Sequence, residues 1–330
     1  MTRTNDRSAE RDILESPERR EVLRTASTLV AGAALASALA DGARAQTTAP
    51  APLAIPGFTP ERIAVSGGVT INAAKAGSGP PLLLLHGAPL NLYTWRDVAP
   101  RLAEDYTVVV ADLRGYGDSS KPKGVPDHSN YAKRAMAQDQ VDVMKHFGFD
   151  RFAVVGQDRG GRVTHRMALD HADKVTKAVL IDIAPTYYLY THVNIDFVQA
   201  YYHWFAYLRA SPVPENELLA AQAGRQLSPA QAEYQRTNGT PEGVHGMCED
   251  YRAGASIDLA HDEADIDKKV RCPLNVLWAQ DGAMDRLYDV LAIWRERGTN
   301  VEGKGMPGGH NMQEGAPNEL YAELMTFLRA

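Results

Sequence analysis

Five short runs of leucine-rich or β-branched residues constrain this chain more than anything else in it: LLLL at 82–85, TVVVA at 107–111, FAVV at 152–155, AVLID at 178–182 and LNVLW at 274–278. A strand with one wet face alternates apolar and polar residues. These runs are continuous, so both faces are covered, as in a mostly parallel sheet joined by crossover helices. Upstream, ERIAVSGGVTINAAKAG (61–77) reads as a hairpin turning at Gly67-Gly68. The alternation breaks once. Between about Thr186 and Asp262 no buried-strand signal occurs, and YYHWFAYLRA (201–210), ENELLAAQAGRQL (215–227) and VHGMCEDYRAG (244–254) carry helical patterns rich in aromatics. An insertion of that kind at the strand ends roofs a site. The expected organisation is an α/β core over 58–185 and 262–330, with a helical cap over 186–261.

At 330 residues the chain can bury one large core with an inserted subdomain. A net charge of −6 and the lack of any lysine or arginine run argue against nucleic acid or an anionic membrane as partner. Cys248 and Cys272 are too few for a disulfide framework and lack metal-ligand spacing. Residues 1–45 are a separate object. Arg19-Arg20 and Val22-Leu23-Arg24 precede a small-residue apolar run, Thr25 to Ala40, which ends in Ala43-Arg44-Ala45. This is the order of a twin-arginine export signal with cleavage near Ala45, which predicts a periplasmic mature protein. A Pro/Ala-rich linker, 46–57, follows. The apolar run is short for a bilayer span of about 20 residues, so no membrane association is expected after cleavage.

Gly156-Gln157-Asp158-Arg159-Gly160 has the spacing of the G-x-S-x-G nucleophile elbow with aspartate in the serine position. Its glycines permit a strand-to-helix turn tight enough to lift the middle side chain above the sheet. His86-Gly87-Ala88-Pro89 follows an earlier strand and is the kind of turn that donates an oxyanion-hole N–H. His86 itself reads as structural, and Asp112 and Asp118 of DLRGYGDS read as loop-structuring. Gly308-Gly309-His310 lies after the last strand and before a C-terminal helix. In chain order Asp158, then Asp182 or Asp281, then His310 give nucleophile, acid and base as in the α/β-hydrolase fold.

From about Phe58 to Ala330 the chain resembles the α/β-hydrolase superfamily, in its haloacetate (fluoroacetate) dehalogenase branch. The elbow with Arg159 and Arg162, the His203-Trp204 pair, CEDYRAG at 248–254 and the late Gly-His pair carry the resemblance. It implies hydrolytic dehalogenation of a short 2-haloacid, with water as co-substrate, no cofactor and no metal, by a homodimer. The aspartate then makes chemical sense: a carboxylate is already ionised and displaces halide from saturated carbon without a base. His310 activates water against the resulting ester, oriented by Asp182, the preferred acid because this branch is similar there, with Asp281, the position most superfamily members use, in reserve. Backbone N–H groups of Ala88 and Arg159 are the expected oxyanion hole. Arg159 and Arg162, three apart on one helical turn, suit the substrate carboxylate. The resemblance assigns His203, Trp204 and Tyr251 to the departing halide. Relatives commonly carry a bulky aromatic where Ala88 stands and often histidine at Gln157, so a wider pocket and larger 2-haloacids are expected.

Two other readings remain. An epoxide hydrolase uses the same Asp158 and His310 with two cap tyrosines, and Tyr187, Tyr188, Tyr201, Tyr202 and Tyr207 supply candidates. An uncharged epoxide has no use for the arginine pair. A non-catalytic ligand-binding protein on this fold would leave nucleophile, base, acid and anion clamp together unexplained.

Overall fold

The computed structural model describes residues 51–330; the expected export signal lies outside them. Eight strands form one sheet in the order β1-β2-β4-β3-β5-β6-β7-β8. They are β1 (Thr59–Val65), β2 (Val69–Ala76), β3 (Pro81–Leu85), β4 (Thr107–Ala111), β5 (Phe152–Gln157), β6 (Val175–Ile181), β7 (Leu274–Ala279) and β8 (Val301–Met306). β2 runs antiparallel to β1 and β4, and every other pairing is parallel. The hairpin turns at Gly67 and Gly68, both at positive φ (74°).

The continuous runs divide by alternate residues between two apolar cores. Leu83 and Leu85 of β3 join one core with Met136 and Met167; Leu82 and Leu84 join the other with Leu320 and Leu324. All four leucines are fully buried, each stabilising the fold by about 1.5–3 kcal/mol. The covering helices that come first in the chain are α1 (Ala99–Leu102), α2 (Lys133–His146) and α3 (Arg159–Asp170).

Between β6 and β7 the chain is helical: α4 (Thr186–Thr191), α5 (Ile195–Ala200), α6 (Tyr202–Tyr207), α7 (Val213–Ala220), α8 (Pro229–Asn238), α9 (Pro241–Gly254) and α10 (Ile257–Ala264). Local chemistry starts several of them. Asn194 caps α5, Ser228 and Gln231 form a capping box on α8, and Thr240 caps α9, with Pro229 and Pro241 at first helical positions. α10 runs three residues past the expected end of the insertion. After β7 come α11 (Ala283–Leu287) and α12 (Val290–Arg295), and after β8, α13 (Met312–Gly315) and α14 (Pro317–Arg329). No helix among the described residues is long and apolar enough to cross a membrane.

Candidate active site

The site forms where parallel strands end. β5 turns into α3 through Asp158, whose φ of 46° and ψ of −114° are strained for a residue with a side chain. Its neighbours allow the turn. A Cβ on Gly160 would lie 2.5 Å from the His86 carbonyl oxygen, and one on Gly156 would lie 2.3 Å from that of Gly160. Only glycine fits such approaches.

Asp158 Oδ2 accepts the Ala88 N–H at 3.0 Å and lies 3.9 Å from His310 Nε2. The Arg159 N–H, at the first position of α3, has no partner within the helix by geometry. The other imidazole nitrogen, His310 Nδ1, contacts Asp182 Oδ2 at 2.5 Å, and the Ala279 N–H donates to Asp182 Oδ1 at 2.9 Å. Asp281 is elsewhere: exposed, with its N–H bonded to Asp285 and its carbonyl to Arg286. His310 leaves β8 through Gly308 and Gly309, both at positive φ. Gln157 secures that loop by donating to the His310 carbonyl and to Asn311 Oδ1, each at 3.2 Å.

Charge is distributed to match. Burial alone raises the Asp158 carboxyl, but His310, Arg159 and Arg162 outweigh it and hold it well below the usual carboxylate range. Burial likewise lowers His310, yet hydrogen bonds and charges from Asp158 and Asp182 push it up to about 10. Asp158 is therefore ionised, and His310 is an imidazolium beside it at neutral pH.

The two arginines differ. Arg159 commits Nε (2.7 Å) and Nη2 (2.9 Å) to the Asp250 carboxylate, and Nη2 also to its carbonyl (2.7 Å). Asp250, fully buried on α9, also receives Lys133 Nζ and the Tyr116 hydroxyl. Arg162 Nη1 is held by neutral oxygens, Ala184 O at 3.2 Å and Thr186 Oγ1 at 2.8 Å, and its Nε is buried without a partner. Burial and Arg159 lower the Arg162 pKa, while Asp158 pulls the other way. Sequence placed both arginines on the substrate carboxylate, and the two stand differently towards the cavity. The cavity at Asp158 has Arg162 in its wall and not Arg159, whose fork is turned onto Asp250.

That cavity, of about 320 Å3, brings Asp158, Asp182, His310, Ala88 and Arg162 together with His203, Trp204, Tyr201 and Tyr251 from the cap. Trp204 is fixed by rings: Tyr201 at 5.3 Å, Phe197 and Tyr190 each at 5.6 Å, and the Arg162 guanidinium over its face at 4.7 Å. Tyr251 lies under the Arg159 guanidinium at 4.3 Å. His203 stands in the cavity wall, where partial desolvation lowers its pKa despite Asp158. The other candidate tyrosines lie elsewhere. Tyr187 contacts Glu263, Tyr188 stacks on His192, Tyr202 is exposed, and Tyr207 faces a neighbouring cavity.

His86 is structural, accepting the Leu113 N–H on Nε2 and contacting the Gly87 carbonyl through Nδ1. Asp112 gathers Asn72, Leu92 and Asp118 around its loop. No cluster of three or more histidine, cysteine or acidic side chains suited to a metal occurs among the described residues.

Residues 80–314 match the family described as alpha/beta hydrolase fold. The chain belongs to the α/β hydrolases. This hydrolase is 44 % identical over 282 residues to a fluoroacetate dehalogenase of a Burkholderia species, covering 81 % of this chain and 93 % of that protein. A soluble epoxide hydrolase of Corynebacterium sp. (strain C12) is 32 % identical, covering 80 % and 95 %. In structure, a Nostoc sp PCC 7120 protein assigned to the alpha/beta hydrolases superposes with a TM-score of 0.80 at 47 % identity, covering 83 % of this chain and 99 % of that one.

Sequence reasoning missed the roles of Asp250 and Gln157 and did not single out Tyr201 from the five candidate cap tyrosines. A buried arginine requires a carboxylate, and Asp250 stands next to Tyr251 in a motif already singled out. Nothing in the sequence ties it to Arg159.

Proposed function

We propose that this α/β hydrolase removes halide from short 2-haloacids through an ester on Asp158, giving the 2-hydroxy acid. The observation that carries the proposal is Arg162, a buried cation in the wall of the cavity that holds the nucleophile, with hydrogen bonds to neutral oxygens only among the described residues. Asp158 attracts this cation only through space, and a buried guanidinium with no carboxylate hydrogen-bonded to it is costly; a substrate carboxylate supplies that partner. Arg159 is then mainly a positioning residue, with Nη1 its one arm not committed to Asp250.

In the first step Asp158 Oδ1 forms a bond to C2 and the halide leaves with the C2–halogen electron pair; no proton moves. His203, Trp204 and Tyr251 stabilise the departing anion. Oδ2 becomes the ester carbonyl oxygen, held by the Ala88 N–H, with the Arg159 N–H as the second expected donor. Esterification removes one of the two negative charges that hold a proton on His310, so its pKa falls, that proton passes to solvent and the neutral imidazole becomes a base. Water attacks Cγ as His310 takes its proton, the Cγ–Oδ1 bond breaks, and His310 protonates the leaving alkoxide. The second water proton passes to His310 as Asp158 re-ionises, restoring the imidazolium.

Two tyrosines on the wall, Tyr201 and Tyr251, favour an epoxide as the second reading. Arg162 has no role in it. Halide release from fluoro-, chloro- and bromoacetate, run beside styrene oxide hydrolysis, separates the two; diol without halide overturns the haloacid reading. Export by the twin-arginine route and a homodimer belong to the same proposal. Sequencing for a Gln46 N-terminus on periplasmic protein and sedimentation of the purified chain test them.

A further inference from the structure

We infer that the reactive cavity adjoins, across Ala88, a second cavity that takes the alkyl chain of a longer 2-haloacid; this rests on the haloacid reading above. The second cavity, of about 520 Å3, shares Ala88, His203 and Tyr251 with the first. Two of these are large rings, and the third is a methyl group. Ala88 is only half-buried although His86 and Gly87 before it are buried, and its methyl group is the smallest side chain the two cavities share.

Size argues in the same direction. A haloacetate occupies the bulk of roughly three waters at about 30 Å3 each, a minor part of the first cavity alone. The second cavity presents Leu218 of α7 with Val244 and Met247 of α9, surfaces suited to methylenes. Gln222 and Gln235 lie in the same wall, hydrogen-bonded to one another.

Attack geometry sets the direction. Displacement at C2 fixes Asp158 on one side, the halogen opposite it, and the carboxylate towards Arg162. A C2 substituent takes the place of one remaining hydrogen, and Ala88 borders the nucleophile through its N–H contact of 3.0 Å. One enantiomer sends its chain past Ala88, and the other sends it against the opposite wall.

The test uses the purified full chain with chloroacetate and the separate enantiomers of 2-chlorobutanoate and 2-chlorohexanoate. From 2-chlorobutanoate to 2-chlorohexanoate of one enantiomer, both attacked at a secondary carbon, kcat/KM is expected to rise about threefold per added methylene. Leu218→Trp, which fills the second cavity, should lower kcat/KM for that 2-chlorohexanoate about tenfold and change chloroacetate less than twofold. Gln235→Trp, on α8, should do the same independently. A tenfold or greater fall on lengthening, equal rates for both enantiomers, or equal slowing of long and short acids by both variants overturns the inference while chloroacetate turnover persists. If no acid releases halide, the haloacid reading itself falls, and this inference with it.

Discussion

The two halves of the cavity are built by different physics. The core half holds Asp158, Asp182 and His310 with strained backbone and directed hydrogen bonds: φ values of 46° and 53° at the two aspartates, an N–H on each, and an imidazole between them. The cap half holds Trp204 and Tyr251 through ring contacts and guanidinium faces. Directed bonds fix reacting atoms to within tenths of an ångström, whereas ring packing fixes shape and leaves polar edges for a ligand. Changes in the core half should therefore remove a chemical step, and changes in the cap half should grade one.

Asp158→Asn is the largest test. A neutral amide cannot displace halide, so turnover should fall at least about 10^4-fold; wild-type rates in protein shown by mass spectrometry to be free of deamidation would break the covalent scheme. Next is His310→Gln. It should lose steady-state turnover by roughly 10^3-fold or more yet still release about one halide per site and accumulate an ester on Asp158. Intact-protein mass spectrometry reads that adduct. Its absence, with no halide burst, assigns His310 to the first step or to none.

How far the site was legible follows the same division. Continuous apolar runs announce β3 to β7 because both faces of those strands are covered. β8 is an edge strand of sequence VEGKGM with alternate residues exposed, and no apolar run marks it. The elbow was legible from its glycines, since each is forced by a carbonyl closer than 3 Å. The preference for Asp182 over Asp281 came from the resemblance and not from local pattern. Both follow parallel strands and both sit at positive φ, and only the fold puts His310 against the first. The Arg159–Asp250 pair joins positions 91 residues apart on α3 and α9, a contact that no local pattern encodes. Arginine spacing shows two cations on one face and is silent on which is already paired.

Arg162→Ala and Arg159→Ala turn that difference into measurement. Loss of Arg162 should cost about 2–5 kcal/mol of transition-state binding, roughly 30-fold to several thousand-fold in kcat/KM for haloacetates, with a modest change in melting temperature. Loss of Arg159 leaves Asp250 buried without its main partner, so stability should fall by about 3–5 kcal/mol. If Arg159→Ala melts like wild type and Arg162→Ala binds haloacid normally, the two roles are reversed. In the cap half, Trp204→Phe should lower kcat about tenfold for fluoroacetate and less for bromoacetate, because the poorer leaving group relies more on donors. Equal effects on both halides would remove Trp204 from the halide's surroundings.

The smallest expected effect tests whether the core half is electrostatic and the cap half is not. His310 has its pKa raised from 6.5 to about 10 by Asp158 and Asp182. A group raised on folding stabilises fully below its unfolded pKa, and that contribution is lost as pH climbs from about 6.5 through 10. The side chain is 46 % accessible, so screening keeps the effect small. Melting temperatures of wild type and His310→Gln should therefore converge by about 2 °C between pH 6 and pH 10. Trp204→Phe changes ring packing and no charge, so its offset from wild type should stay constant over the same range. An offset for Trp204→Phe that moved with pH as much as that of His310→Gln would mean that the cap reports the charge of the core, and the division drawn between the two halves would fail.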